Sequence, residues 1–253
     1  MKKAFWKNVA LGLGGVGILI LAWLIAWIAV GNELIVPNLF LCLKKSVLLL
    51  FDGAFWLVAL GTLKRVFIAF FFSLIFALVF AFVAYLSPSF EKIFAPIIGV
   101  FRAVPIFGVL LIILVWTNDA SVATIVVAFL SLFPILYTES LSALKGVDQE
   151  LIEMSRVYKV PIKKQIICLY LPTALPHILR SGGASLSFGV KLIVSAEVLA
   201  RTANSLGNSM QELQILETEM STLFALILLS CALAFALETV FTALSRLVKR
   251  REK

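Results

Sequence analysis

Residues 120–142, ASVATIVVAFLSLFPILYTESLS, run directly into residues 143–172, ALKGVDQELIEMSRVYKVPIKKQIICLYLP. The first stretch is long enough to cross a bilayer, since a helix needs about 20 apolar residues for a hydrocarbon core of about 30 Å. The second is too polar to cross, yet too apolar to stand alone in water. Such an alternation belongs to a polytopic membrane protein, and the composition agrees. Of 253 residues, 62% are hydrophobic and 14% charged, against about 45–50% and 25% in soluble domains. Mean hydropathy is +1.07. A soluble globule of this size already exposes much apolar area and cannot hide the excess, so that excess faces lipid. A soluble enzyme, a disordered chain and a nucleic-acid-binding domain are excluded as classes.

Six stretches qualify as spans: 9–30, 60–86, 94–116, 120–142, 174–200 and 222–245. The first follows Lys2, Lys3 and Lys7, is longer than the core of a signal peptide and lacks a small-residue cleavage site after it, so it reads as a retained helix. Ser87-Pro88-Ser89 ends the second, and Pro96 and Pro105 predict a kinked or late-starting third. Residues 31–58, broken by Pro37, Lys44-Lys45 and Asp52, read as an interfacial helix. With six spans, both termini and two loops share one face. That face holds fifteen of the 22 basic residues, whereas Lys44, Lys45 and Arg201 lie opposite with Glu212, Glu217 and Glu219. The positive-inside rule then predicts N-in and C-in, which turns the +8 net charge into a topology signal. One histidine (His177) and three scattered cysteines give no metal or disulfide signature.

Within 143–172, Gly146-Val147-Asp148 is a break followed by a helix N-cap, and Pro161 divides the remainder into two short helices. Their apolar residues need cover. One reading is a hairpin resting on lipid headgroups; the other is a docking element for a cytoplasmic partner.

Glu153-Met154-Ser155, Lys159, Leu169-Tyr170-Leu171-Pro172 and Ala174-Leu175-Pro176 resemble the cytoplasmic loop of binding-protein-dependent ABC transporter permeases. The spacing from Glu153 to Pro172 fits that family's Glu-Ala-Ala motif throughout. Met154 and Ser155 stand for its two alanines, Lys159 for its glycine and Leu169 for its isoleucine. Thr62-Leu63-Lys64-Arg65-Val66, Arg102-Ala103-Val104-Pro105, Phe133-Pro134-Ile135, Val147 to Leu151, Ser195-Ala196-Glu197 and Asn204-Ser205-Leu206-Gly207 resemble the nitrate, sulfonate and taurine branch. The resemblance implies an all-α permease of the MetI-like fold in the inner (cytoplasmic) membrane, forming the path for a small solute. Its expected divisions are 1–58 (first span and interfacial segment), 59–248 (core, with the coupling loop 143–172) and 249–253 (basic tail).

No GxxxxGK[ST] phosphate loop is present, so the resemblance places ATP on a separate cytoplasmic subunit and implies no cofactor and no catalysis in this chain. The other implied partners are a second permease subunit, identical or sibling, an external solute-binding protein and the bilayer; nucleic acid is not among them. Asp148, Leu151, Glu153, Met154, Ser155, Lys159, Leu171 and Pro172 are the expected ATPase-coupling residues. A carboxylate such as Glu153 near a helix N-terminus suits the dipole and accepts a cation. Lysine at 159 occupies left-handed geometry only at a cost. Lys191 and Glu197 are the candidates for the translocation path, because charges inside a span face a bundle interior or water. They point about 120° apart, whereas Glu197 and Arg201 at i,i+4 are placed to pair. Glu238 is expected to pair with Arg246 or a neighbour, and Ser181-Gly182-Gly183-Ala184-Ser185 to permit close helix packing. The competing class is a self-sufficient secondary transporter or channel, for which paired acidic residues at midplane or two similar halves would speak.

Overall fold

The computed structural model describes residues 2–216 and 219–251, with side chains over residues 14–215 and 219–248. Glu217 and the side chains of Lys2, Lys3, Lys7, Lys249, Arg250, Arg251 and Lys253, used for the topology reading, lie outside the described residues. Every regular element within them is helical. In chain order these are α1 (Lys2–Val30), α2 (Leu39–Leu50), α3 (Gly53–Leu86), α4 (Pro88–Ala103), α5 (Ile106–Thr117), α6 (Ala120–Lys145) and α7 (Gln149–Val157). Then come α8 (Ile162–Gln165), a π-helical turn (Ile166–Tyr170), α9 (Leu171–Ala200), α10 (Leu206–Leu216) and α11 (Met220–Arg251).

Short polar side chains start these helices by satisfying backbone N–H groups that have no partner in the first turn. Asn38 accepts from Phe40 N, Ser87 from Phe90 N, and Asp119 from both Ser121 N and Val122 N. At the end of α5, Asn118 takes φ 49° and its N–H bonds Leu114 O, which reverses the chain into α6.

Four helical stretches are long and apolar enough to cross a membrane: Gly53–Leu86, Ala120–Lys145, Ile162–Ala200 and Met220–Val248. The α4–α5 pair is a fifth if counted as one span, and the described apolar part of α1 is Gly14–Val30. Three boundaries differ from the sequence reading. The second span begins at Gly53 instead of 60, because Asp52 accepts from Ala54 N and nothing breaks the helix afterwards. The boundary drawn at 58/59 therefore falls inside α3. The third stretch is broken, not kinked: α4 and α5 meet at 87°. Pro105 drives Val104 to an extended conformation (φ −66°, ψ 129°), so the two helices cannot be continuous. The fifth begins at Ile162, not after Pro172. The π turn widens the backbone just ahead of Pro172, where the ring would otherwise meet the carbonyl four residues earlier.

The chain divides into two compact units, Met1–Trp56 with Ser209–Leu229 and Leu57–Asn208 with Ser230–Lys253. In the first, the Trp23 indole N–H donates to Pro37 O at 3.1 Å and its ring meets Phe224 edge-on at 5.4 Å. Lys45 Nζ donates to Glu219 Oε2 at 2.6 Å and Thr222 Oγ1 at 2.8 Å. These contacts hold Glu219 below the usual carboxylate range, the hydrogen bond from Lys45 being the main cause.

The second unit is built on α6 and α9. Leu110, Ile113, Ala123, Val127 and Ala196 form a buried cluster among α5, α6 and α9. Phe80, Phe94 and Phe133 interlock α3, α4 and α6, with the Phe80 and Phe94 rings stacked at 5.0 Å. The small-residue stretch of α9 packs closely, as its composition predicts. A Cβ at Gly183 would lie 2.8 Å from Phe241 Cβ and 3.2 Å from Glu238 O, so α11 rides directly on the α9 backbone there.

Candidate functional site

Gly146 closes α6, Val147 is buried, and the Asp148 carboxylate accepts from Glu150 N at 2.9 Å to start α7. On one face of α7, Ile152 and Ser155 turn into the protein, with Ser155 Oγ donating to Ile152 O at 2.7 Å. On the other, Leu151, Met154, Val157 and Tyr158 are exposed, as is Glu153, which forms no ion pair among the described residues.

Lys159 then takes φ 50°. Val160 N bonds Ser155 O and Lys159 N bonds Arg156 O, both at 2.9 Å. This pairing is a Schellman cap, in which glycine is the usual left-handed residue. The turn is therefore kept with lysine in it. Gln165 Nε2 donates to Val160 O at 2.7 Å, and helix resumes at Ile162. Leu171 is exposed and Pro172 half-buried just beyond the π turn. The Tyr85 and Tyr170 hydroxyls, 3.4 Å apart, brace that turn against α3.

From there α9 shows a stripe at helical spacing that this chain leaves uncovered: His177, Arg180, Ala184, Phe188, Lys191 and Ser195. Lys191 lies on that stripe, and no described residue forms an ion pair with it. Glu197 lies on the opposite side, fully buried. Its partner is not Arg201, which is exposed and ends the helix in the left-handed region at φ 49°. Instead Arg65 Nη1 donates to Glu197 Oε1 at 2.9 Å. Thr62 Oγ1 and Gly207 N donate to Oε2 at 2.9 and 3.3 Å. The Arg65 guanidinium also donates to Ser121 Oγ at 2.6 Å and Ala203 O at 2.8 Å. Glu197 is thus enclosed by protein donors, with no solvent exposure. Gly207 is required at its position, since a Cβ would lie 2.5 Å from Glu197 Cβ and 2.6 Å from Val194 O.

The segments quoted for their resemblance therefore converge. Thr62 and Arg65, Glu197, and Asn204 to Gly207 meet in one buried polar cluster. Arg102 donates to Pro134 O and to Thr138 Oγ1, which brings two more together. Sequence reasoning missed the role of Arg65. The available signal was a cation near the start of an apolar span, 132 positions from the carboxylate it meets. The predicted pairing of Glu238 with Arg246 is also absent among the described residues. Eight positions on one helix separate them by about 12 Å along the axis.

Residues 73–250 match the family model described as "Binding-protein-dependent transport system inner membrane component". The chain belongs to this family. The permease is 28% identical over 251 residues to the taurine transport system permease protein TauC of Escherichia coli (strain K12), covering 95% of this chain and 89% of that one. It is 27% identical over 203 residues to the putative aliphatic sulfonates transport permease protein SsuC of Bacillus subtilis (strain 168), covering 79% and 67%. Among solved structures, its fold is similar to that of the MetNI methionine ABC transporter in an inward-facing conformation. The TM-score is 0.66 at 20% identity, over 76% of this chain and 96% of that one. An amino acid ABC transporter is similar at a TM-score of 0.58 and 20% identity, over 75% and 90%. The expected family, its MetI-like fold and the role of permease subunit in an ABC importer all hold.

Two measurements test this geometry. Arg65→Met leaves Glu197 buried and unpaired and is expected to cost about 3–5 kcal/mol, whereas Glu197→Gln/Arg65→Met together cost less than the sum of the singles; unfolding midpoints in detergent read the cycle. Lys159→Gly relieves left-handed strain and is expected to stabilise the turn by about 1 kcal/mol after the flexibility of glycine is allowed for. Slower hydrogen exchange of the α7 amides is the readout.

Proposed function

We propose that this permease carries a small organic solute of the sulfonate or taurine type across the inner membrane, and that residues 143–172 couple it to a separate cytoplasmic ATP-binding subunit. The coupling residues in this reading are Asp148, Leu151, Glu153, Met154, Ser155, Lys159, Leu171 and Pro172. The observation that carries it is continuity. A single 39-residue helical stretch, Ile162–Ala200, links the capped turn behind α7 to the stripe that bears Lys191. An ATPase groove that grips Leu151, Met154, Val157 and Tyr158, with a cation set against Glu153, moves that stripe as one lever. The relatives named for taurine and aliphatic sulfonates support the solute class. In the same reading a second permease copy faces the α9 stripe and closes the path, Lys191 meets the solute's anionic group, and an external binding protein delivers it. Glu197 serves the path by positioning, through Arg65 and the 201–207 segment, and does not touch the solute.

Purification of the intact complex into proteoliposomes tests this reading. Co-elution of an ATPase and vanadate-sensitive uptake are expected; uptake driven by an ion gradient with this chain alone supports a secondary transporter instead. Glu153→Arg is expected to abolish ATP-driven uptake while the membrane domain stays folded and monodisperse, and unchanged uptake removes Glu153 from the coupling role. Lys191→Ala is expected to raise the KM for an anionic solute several-fold, and wild-type kinetics remove it from the path.

A further inference from the structure

Two adjoining cavities of about 620 and 610 Å³ open on the loop-bearing half of α9. Both are lined by His177, Arg180 and Thr242; Glu139 of α6 and Glu238 of α11 join the first, and Arg246 of α11 joins the second. None of Glu139, Arg180, Glu238 and Arg246 forms an ion pair among the described residues. Their backbones are nevertheless fixed. Gly183 seats α11 at Glu238, and Ser245 Oγ donates to Pro176 O at 2.7 Å beside Arg246. Charges of both signs, with no ion pair among them, thus line one open recess, where they are available to whatever enters it.

Charge complementarity selects the occupant. A purely anionic solute would meet Glu139 and Glu238 with nothing to offer them. A purely cationic one would meet Arg180 and Arg246 in the same way. Resting on the permease reading above, we propose that this recess is a transit subsite for a small zwitterion. The ammonium group lies toward Glu139 and Glu238, and the oxyanion lies toward Arg180 and Arg246, with His177 and Thr242 as hydrogen-bonding groups between them. A recess this large keeps such a solute partly hydrated. Holding is then weak, as a conducting site requires, because a solute bound too tightly does not leave.

The test uses the full-length permease with its ATPase in nanodiscs, without the binding protein, so that selection by the latter is absent. Equilibrium dialysis compares 2-aminoethanesulfonate, ethanesulfonate and ethylammonium. The expected result is about tenfold tighter binding of the aminosulfonate than of either single-charge probe, the weight of one charge-assisted contact. Glu139→Gln/Glu238→Gln is expected to erase that margin while leaving ethanesulfonate binding in place; should this variant not fold, Glu139→Gln alone is expected to narrow the margin, and a margin unchanged by it overturns the proposal. Equal affinity for both sulfonates, preference for ethylammonium, or no binding of any probe overturns the proposal. ATP-driven uptake by the same preparation, once the binding protein is added, separates the two levels. Its loss strikes the permease reading, whereas its retention without zwitterion preference strikes the subsite alone.

Discussion

A carboxylate with no solvent exposure inside a membrane helix must find its donors within the protein. Glu197 finds three of them on two separate parts of the chain: Arg65 and Thr62 on α3, and the backbone of Gly207 beyond the α9 turn. Arg65 in turn reaches Ser121 at the start of α6 and the carbonyl of Ala203. In lipid no hydrophobic drive holds helix against helix, so close packing and satisfied polar groups must set their positions. The pair therefore acts as a locating pin for α3, α6 and α9. Glycines complete the fit. Gly207 admits its N–H to the carboxylate, and a Cβ at Gly61 would collide with the Asn204 carbonyl oxygen, which lies on the same turn.

Around this pin the second unit separates two kinds of surface on α9. One face is buried against α6, with Leu186, Val190 and Ile193 almost fully covered. The other carries Arg180 and Lys191 and is left open by this chain. Cations are expensive at membrane depth unless water or a partner meets them. The division accounts for why α9 is the least lipid-like of the apolar stretches.

What the sequence made legible were features governed by neighbours along the chain. The break at Gly146, the cap at Asp148 and the stop at Ser87-Pro88 all depend on a few adjacent residues, and the structure has each of them. Lys159 was legible as a strained position, though its survival in a Schellman turn depends on the Ser155 and Arg156 carbonyls, which accept from Val160 N and Lys159 N. The failures share one cause. Pairing Glu197 with Arg201 assumed that the helix continues, but Arg201 leaves it in the left-handed region while Arg65 approaches from a helix far back in sequence. Reading Pro172 as a helix start assumed a strict α ladder, and a π turn accommodates the ring without an interruption. Pro96 and Pro105 were read as marking a kinked or late-starting helix, since local rules mark a disturbance but not the 87° between the two arms. Contacts across more than a hundred positions leave no periodic trace in a single chain.

The π turn at Ile166–Tyr170 has a geometric consequence for the whole Ile162–Ala200 stretch. A π turn holds one residue more than the α turn it replaces, and each residue of an α-helix advances the azimuth by about 100°. The bulge therefore acts as a phase setting between the Pro161 end of the rod and the side that carries Arg180 and Lys191. Ironing it out without shortening the chain would point those cations about a quarter of the way round, toward the packed interior. For the same reason a single insertion or deletion in this short stretch is tolerated far less than its loop-adjacent location suggests, because it would turn the uncovered α9 stripe out of register with the exposed face of α7.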